Sequence, residues 1–145
     1  MEIQGLGQVE IVADDVDRAT TFYRDVLGIP FLFSAPPGLA FFDCGGVRLM
    51  ISNPQEEGAE RGMASLLYYR VESVRDAVEV MRGRGADPIS GPLIAHRTPD
   101  YWLWLASYHD TEGNTFALMS EEPPEAATQA GVDPADAETD GSSPS

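Results

Sequence analysis

Ile11-Val12-Ala13-Asp14-Asp15-Val16-Asp17-Arg18-Ala19 matches Tyr69-Arg70-Val71-Glu72-Ser73-Val74-Arg75-Asp76-Ala77 at a constant offset. Each copy is an alternating stretch that runs into a helix start. Alternation at period two marks a half-buried strand, because successive side chains point to opposite faces. Asp15 and Ser73 read as N-caps, short oxygen-bearing side chains able to accept from the backbone N–H groups orphaned at a helix start. Asp76, three residues after Ser73, suits the positive end of its helix. Val16, Ala19, Tyr23, Val26 and Leu27 fall near helical spacing, as do Val74, Ala77, Val78 and Met81. Gly28 and Gly85 stand where each helix should stop.

Short strands follow each helix. The first copy gives Pro30 to Ser34, a Pro36-Pro37-Gly38 turn, Leu39 to Asp43, a Gly45-Gly46 turn, and Val47 to Ser52. The second gives Pro88 to Ile94 loosely, then a loop through His96-Arg97-Thr98-Pro99-Asp100, then Tyr101 to His109. A Thr111-Glu112-Gly113-Asn114 turn leads from there into Thr115 to Met119. Turn residues at these points support hairpins. The pattern predicts an α+β fold of two βαβββ modules, forming a curved mixed sheet around a cavity with the helices on the outside. Module 1 covers about residues 4–54 and module 2 about 62–120, within one domain over residues 1–120. Residues 121–145 carry seven acidic side chains, no basic one and no aromatic one, which predicts a disordered acidic tail.

The formal net charge is -15, and all nine basic residues are Arg. Such a surface repels nucleic acid and anionic lipid, so neither is an expected partner. No apolar run approaches the ~18 residues of a membrane span. The start, Met1-Glu2-Ile3-Gln4-Gly5, lacks the basic and apolar regions of a signal peptide. The single cysteine, Cys44, cannot form an internal disulfide, and a reducing cytoplasm is the expected setting. Cys44 has no base nearby in sequence, so a nucleophilic role is not expected. His96 and His109 are far apart and form no ligand pair.

Parity assigns candidate cavity residues. Gln8, Glu10 and Val12 share one face of the first strand, and Arg48, Met50 and Ser52 one face of the fourth. If positions 8 and 50 are antiparallel neighbours, Glu10 sits opposite Arg48 as a cross-strand ion pair. In the second module Leu66, Tyr68 and Arg70 share a face, as do Thr115, Ala117 and Met119. Between Tyr101 and His109, Leu103 and Leu105 suit packing under a helix, while Trp102, Trp104 and Tyr108 would form an aromatic cavity wall. Core packing or a dimer contact is the competing role for those rings. Glu10 is either a general base, if burial raises its pKa, or a paired structural acid.

Gln8-Val9-Glu10-Ile11-Val12-Ala13-Asp14-Asp15-Val16-Asp17-Arg18, followed by Phe22-Tyr23-Arg24-Asp25-Val26-Leu27-Gly28, resembles the first module of vicinal oxygen chelate proteins, the glyoxalase, bleomycin-resistance and extradiol dioxygenase group. Asp110-Thr111-Glu112-Gly113-Asn114-Thr115-Phe116-Ala117-Leu118 resembles the turn and final strand of their second module. The resemblance covers about residues 5–120 and implies the fold. It implies no single reaction, since the fold hosts isomerases, lyases, dioxygenases, thiol transferases and metal-free drug binders. Carried over by position, the metal ligands of the metal-dependent members fall on Gln8, Met50, Leu66 and Ala117. Only Gln8 could bind a metal, so neither a metal nor another cofactor is expected.

Three readings stay open. The first is a metal-free small-molecule binding protein for an aromatic or mixed apolar-polar ligand. Its ligand-binding residues would be Gln8, Glu10, Arg48, Tyr68, Arg70, Trp102, Trp104, Tyr108 and Thr115. The second is a lyase, isomerase or dioxygenase with an altered metal site using Gln8 and Glu10. The third is a dimeric scaffold. The resemblance leaves a homodimer open in all three.

Overall fold

The computed structural model of the chain describes residues 1, 2, 4–53 and 65–125. The expected acidic tail lies outside the described residues from position 126 onward. The chain divides into two compact units, Met1–Ser65 with Asp110–Asn114, and Leu66–His109 with Thr115–Ser145.

The first unit contains β1 (Gln8–Val12), α1 (Val16–Thr21) with a following π-helical turn (Phe22–Val26), β2 (Phe31–Ala35), β3 (Leu39–Cys44) and β4 (Val47–Ser52). The second contains β5 (Leu67–Arg70), α2 (Val74–Gly83), β6 (Ser90–Arg97), β7 (Trp102–His109) and β8 (Thr115–Glu122). Each unit therefore carries one βαβββ module, the α+β plan expected from the repeat. The sheet orders are β1-β4-β3-β2 and β5-β8-β7-β6, the same order at corresponding positions. Both helices start as the sequence predicts. The Asp15 side chain accepts from the Arg18 N–H at 3.0 Å, and Ser73 Oγ accepts from the Asp76 N–H at 3.3 Å. Gly28 and Gly85 follow the helices at φ 73° and 89°, a left-handed conformation in which any residue with a Cβ is strained.

Two boundaries and one strand direction differ from expectation. β6 runs on to Arg97, so His96 sits in a strand opposite Leu103 rather than in a loop. β8 runs on to Glu122, so the acidic tail cannot begin at Glu121. The reason is a buried polar network. The Glu122 carboxylate accepts from Arg75 Nη2 at 3.0 Å and Ser120 Oγ at 2.6 Å, while Ser120 Oγ accepts from the Val74 N–H at 3.1 Å. These bonds fasten the end of β8 to the start of α2, and they offset the cost of burying a carboxylate. Third, β1 pairs β4 in parallel, with Gln8 beside Arg48 and Glu10 beside Met50.

The core of each unit lies between its sheet and its helix. In the first, Ile11, Ala40, Phe42, Leu49 and Ile51 are buried with Ala19 and Tyr23. In the second, Ile94, Trp104, Ala106, Tyr108, Phe116 and Leu118 are buried with Val74, Val78 and Met81. Tyr108 stacks on Phe116 at 5.5 Å, and its hydroxyl has no hydrogen-bond partner among the described residues. Burial pushes this phenol's pKa up. An unpaired buried hydroxyl costs about 1–3 kcal/mol. Tyr108→Phe should therefore raise stability by about 1 kcal/mol in urea denaturation, and a loss of stability would show that the hydroxyl is satisfied.

Candidate functional site

In each sheet the face turned from the helix is left open. The register of the first sheet follows from a local signal. Gly45 and Gly46 form a two-residue turn with Cys44 opposite Val47, and every later pair of β3 and β4 is then fixed. Asp43 falls opposite Arg48 and Phe41 opposite Met50. On the other flanks, Gln8 pairs Arg48, Glu10 pairs Met50, and Phe33 pairs Phe41. Paired residues share a face, so Gln8, Glu10, Arg48, Met50, Ser52, Phe41 and Phe33 project together.

Phe33 and Phe41 stack with ring centroids 4.7 Å apart and 28° between planes. Phe33 is nonetheless 47% exposed. The Arg48 guanidinium lies 6.0 Å from the Phe41 ring centroid and forms no ion pair among the described residues. Ser52, fully buried, donates its hydroxyl to Glu10 Oε2, which orients the carboxylate and leaves Oε1 unpartnered among the described residues. The Gln8 amide lies 3.8 Å from Met50 Sδ, a weak contact. The face thus offers a stacked apolar platform, one free cation, one oriented carboxylate and one amide.

Three of the expected ligand-binding residues, Gln8, Glu10 and Arg48, come together here. The expected Glu10–Arg48 ion pair is corrected, because parallel pairing puts the two residues at diagonal rather than opposite positions. Phe33 and Phe41 were not among the expected residues. The two-glycine turn carries the signal for Phe41, since it sets Phe41 opposite Met50.

Tyr68 and Arg70 lie on the open face of the second sheet, beside Ala117 and Met119, and Thr115 shares the parity of those two. Arg70 is paired with Glu121 at 3.1 Å. The expected aromatic wall is corrected. Trp104 is 2% exposed and Tyr108 1%, and both sit on the helix side of β7. Trp104 is opposite Ile94 and Ser120, and the Arg75 guanidinium of α2 lies 4.2 Å from its ring centroid. Trp102, of the same parity, carries Arg97 over its ring at 4.8 Å. The half-buried Leu103 and Leu105 are on the open face instead. Large rings bury the most apolar area per residue, so the covered face took them.

The four family metal positions supply one amide, one thioether and two hydrocarbon side chains. Gln8 Nε2 already faces Met50 Sδ, Leu66 is a half-exposed aliphatic chain and Ala117 a buried methyl. This donor set does not fit a divalent cation, which needs anionic or imidazole ligands. Among the described residues no three His, Cys, Asp or Glu side chains cluster for a metal. Burial, and then the charge of Asp43, push the Cys44 thiol up from its ordinary value, against a nucleophilic role. A groove of about 890 Å³ at the start of α2 is lined by Glu72, Ser73, Arg75, Asp76, Glu121 and others. Its one cation, Arg75, is committed to Glu122.

The turn from Asp110 to Asn114 belongs to the first unit. Asp110 Oδ1 accepts from the Glu112 and Asn114 N–H groups at 2.8 Å each, and Oδ2 accepts from Tyr23 Oη at 2.7 Å and Asn114 Nδ2 at 2.9 Å. Glu112 Oε1 accepts from the Asp14 and Asp15 N–H groups at 2.6 and 3.0 Å, and Oε2 from Arg18 Nη2 at 2.8 Å. Asn114 Nδ2 also donates to the Val12 carbonyl at 2.9 Å. This cluster fixes the loop between β1 and α1, and so the end of the strand that carries Gln8 and Glu10.

Among solved structures, the chain is similar to a lactoylglutathione lyase from Agrobacterium tumefaciens, at 22% identity and a TM-score of 0.63, covering 83% of this chain and 96% of that one. It is also similar to an antibiotic binding protein from a Streptomyces species, at 21% identity and a TM-score of 0.65, covering 84% and 99%. At these identities the likeness is one of fold. A glyoxylase-like domain-containing protein of Didymella fabae is 29% identical over 128 residues, 77% of this chain and 90% of its own length. No described helix is long and apolar enough to cross a membrane. A family model matches residues 5–126, which takes in both βαβββ modules, and the chain therefore belongs to the Glyoxalase/Bleomycin resistance protein/Dioxygenase superfamily.

Proposed function

We propose that the protein is a small-molecule binding protein that holds a planar ligand on the open face of its first sheet without a metal. The observation that carries this reading is the Phe33–Phe41 pair, stacked yet with Phe33 half-exposed, beside unspent polar groups. A soluble protein does not gain by presenting a stacked pair of rings to water, whereas a bound ring would bury that surface. The antibiotic binding protein of similar fold supports the same reading. Tyr68, Arg70 and Thr115 remain candidates on the second sheet's open face. The protein would work in a reducing cytoplasm, where Cys44 stays a thiol, and as a monomer or a homodimer.

A panel of aromatic compounds screened by thermal shift, then titrated by calorimetry with and without chelator, tests it. Binding should survive chelator, and Phe41→Ala should weaken it about tenfold, as expected for a lost stacking platform of about 1.4 kcal/mol. Binding that chelator abolishes would favour the second reading, a lyase, isomerase or dioxygenase. The Ser52-oriented Glu10 carboxylate is the feature that favours that reading.

A further inference from the structure

We infer that the ligand of this face is an aromatic acid carrying a hydrogen-bond donor at its far end, with Arg48 reading the anion and Glu10 the donor. The inference rests on the metal-free binding reading and narrows it to a chemical class. In a chain with a net charge of -15, acids outnumber bases and a guanidinium should find a partner easily. The described Arg18, Arg24, Arg70, Arg75 and Arg82 all do. Arg48 does not, although Asp43 is its cross-strand neighbour and Glu10 its diagonal one. The Asp43 carboxylate is instead turned to the Gly46 N–H at 3.1 Å, and Glu10 to the Ser52 hydroxyl. The backbone turn and the buried serine thus hold both acids off the arginine, and Arg48 stays beside the Phe41 ring.

Guanidinium groups pair with carboxylates through two parallel N–H donors, so a free arginine beside an aromatic platform fits a ring bearing a carboxylate. The Glu10 carboxylate is acceptor-only. Its free Oε1 calls for a ligand O–H or N–H. Diagonal positions on neighbouring strands are roughly 7–8 Å apart. Substituents at opposite ends of a one- or two-ring system span that distance, with the rings over Met50 and edged by Phe41 on the Arg48 side. The net charge would repel an anion at long range, but at 0.15 M salt screening acts beyond roughly 8 Å and leaves the Arg48 contact intact.

The probes are 6-hydroxy-2-naphthoate, its neutral carboxamide, and 2-naphthoate, titrated into the full chain by ligand fluorescence at pH 7.5. The hydroxy acid should bind at least tenfold more tightly than the carboxamide, and Arg48→Met should bring that ratio close to one. It should also bind severalfold more tightly than 2-naphthoate, and Glu10→Leu should erase that advantage. Circular dichroism of both variants checks that they fold. A carboxamide that binds as tightly as the acid overturns the assignment of Arg48 and leaves the binding protein standing. A ratio unchanged in Arg48→Met, with tight binding of the acid, also overturns it and moves the anion site elsewhere. If none of the three binds the wild type, this inference and the reading beneath it fall together.

Discussion

Asp110→Ala should lower the unfolding free energy by about 4 kcal/mol. The carboxylate is buried and accepts four hydrogen bonds, two from backbone N–H groups, one from Tyr23 Oη and one from Asn114 Nδ2. Removing it strands donors that are themselves wholly or partly buried. Each stranded donor costs about 1–3 kcal/mol unless water replaces the acceptor. The sum is smaller than four full penalties, since Glu112 and Asn114 are partly exposed and a cavity of carboxylate size admits water. Asp110→Asn keeps the shape and one acceptor oxygen, so about half the loss should return. Urea denaturation of both variants checks the pair. A loss below about 1 kcal/mol for the alanine variant would mean that the turn is held by something other than this carboxylate.

Glu112→Gln should cost about 2–3 kcal/mol at neutral pH and should also flatten the acid limb of the stability curve. The Glu112 side chain is 1% exposed. Burial works to raise its pKa, but the Arg18 side chain and the Asp14 and Asp15 N–H groups more than compensate, and the group titrates below its ordinary value. A carboxylate with a folded pKa below the unfolded one, about 4.3, stabilises fully above that value. Its contribution is lost as pH falls through the folded pKa. The wild type should therefore lose stability from about pH 5 downward, and the glutamine variant should lose less over the same window. The neutral-pH cost arises because a Gln oxygen that keeps both backbone bonds turns its NH2 against the Arg18 guanidinium, whereas the flipped amide strands both backbone donors. The Arg18 end is exposed and screened by salt. Parallel acid limbs for the two proteins would show that Glu112 is not a titrating contributor.

Much of the fold is legible in the sequence because its decisive signals are local. The caps at Asp15 and Ser73, the stops at Gly28 and Gly85 and the two-glycine turn each act within a few residues. The direction of β1 against β4 is not local. These strands are separated by a helix and a hairpin, and no turn residue encodes whether they run parallel. The Glu10–Arg48 pairing fails for that reason and because Glu10 accepts from Ser52 instead, while the shared face of Gln8, Glu10 and Arg48 survives, since parity does not depend on direction. On β7 parity separates Trp102, Trp104 and Tyr108 from Leu103 and Leu105, but it cannot say which set meets the helix. Two apolar sets compete there, and only the packing of α2, with Arg75 over the Trp104 ring, decides. The roles of Asp110 and Glu112 depend on partners about ninety residues away, which no window over the sequence can contain.

The turn from Asp110 to Asn114 also governs when the molecule can fold. Its bonds reach back 87 residues to Tyr23 and 102 to Val12. Contacts of such separation form late, because the intervening chain must first be ordered. During synthesis the first unit emerges with its strands complete by Ser52, yet the acceptors for Tyr23 Oη and the Asp14 and Asp15 N–H groups have not been made. The half of the protein translated first must wait, with Phe31, Leu32 and Phe33 exposed on an edge strand, for residues translated more than fifty positions later.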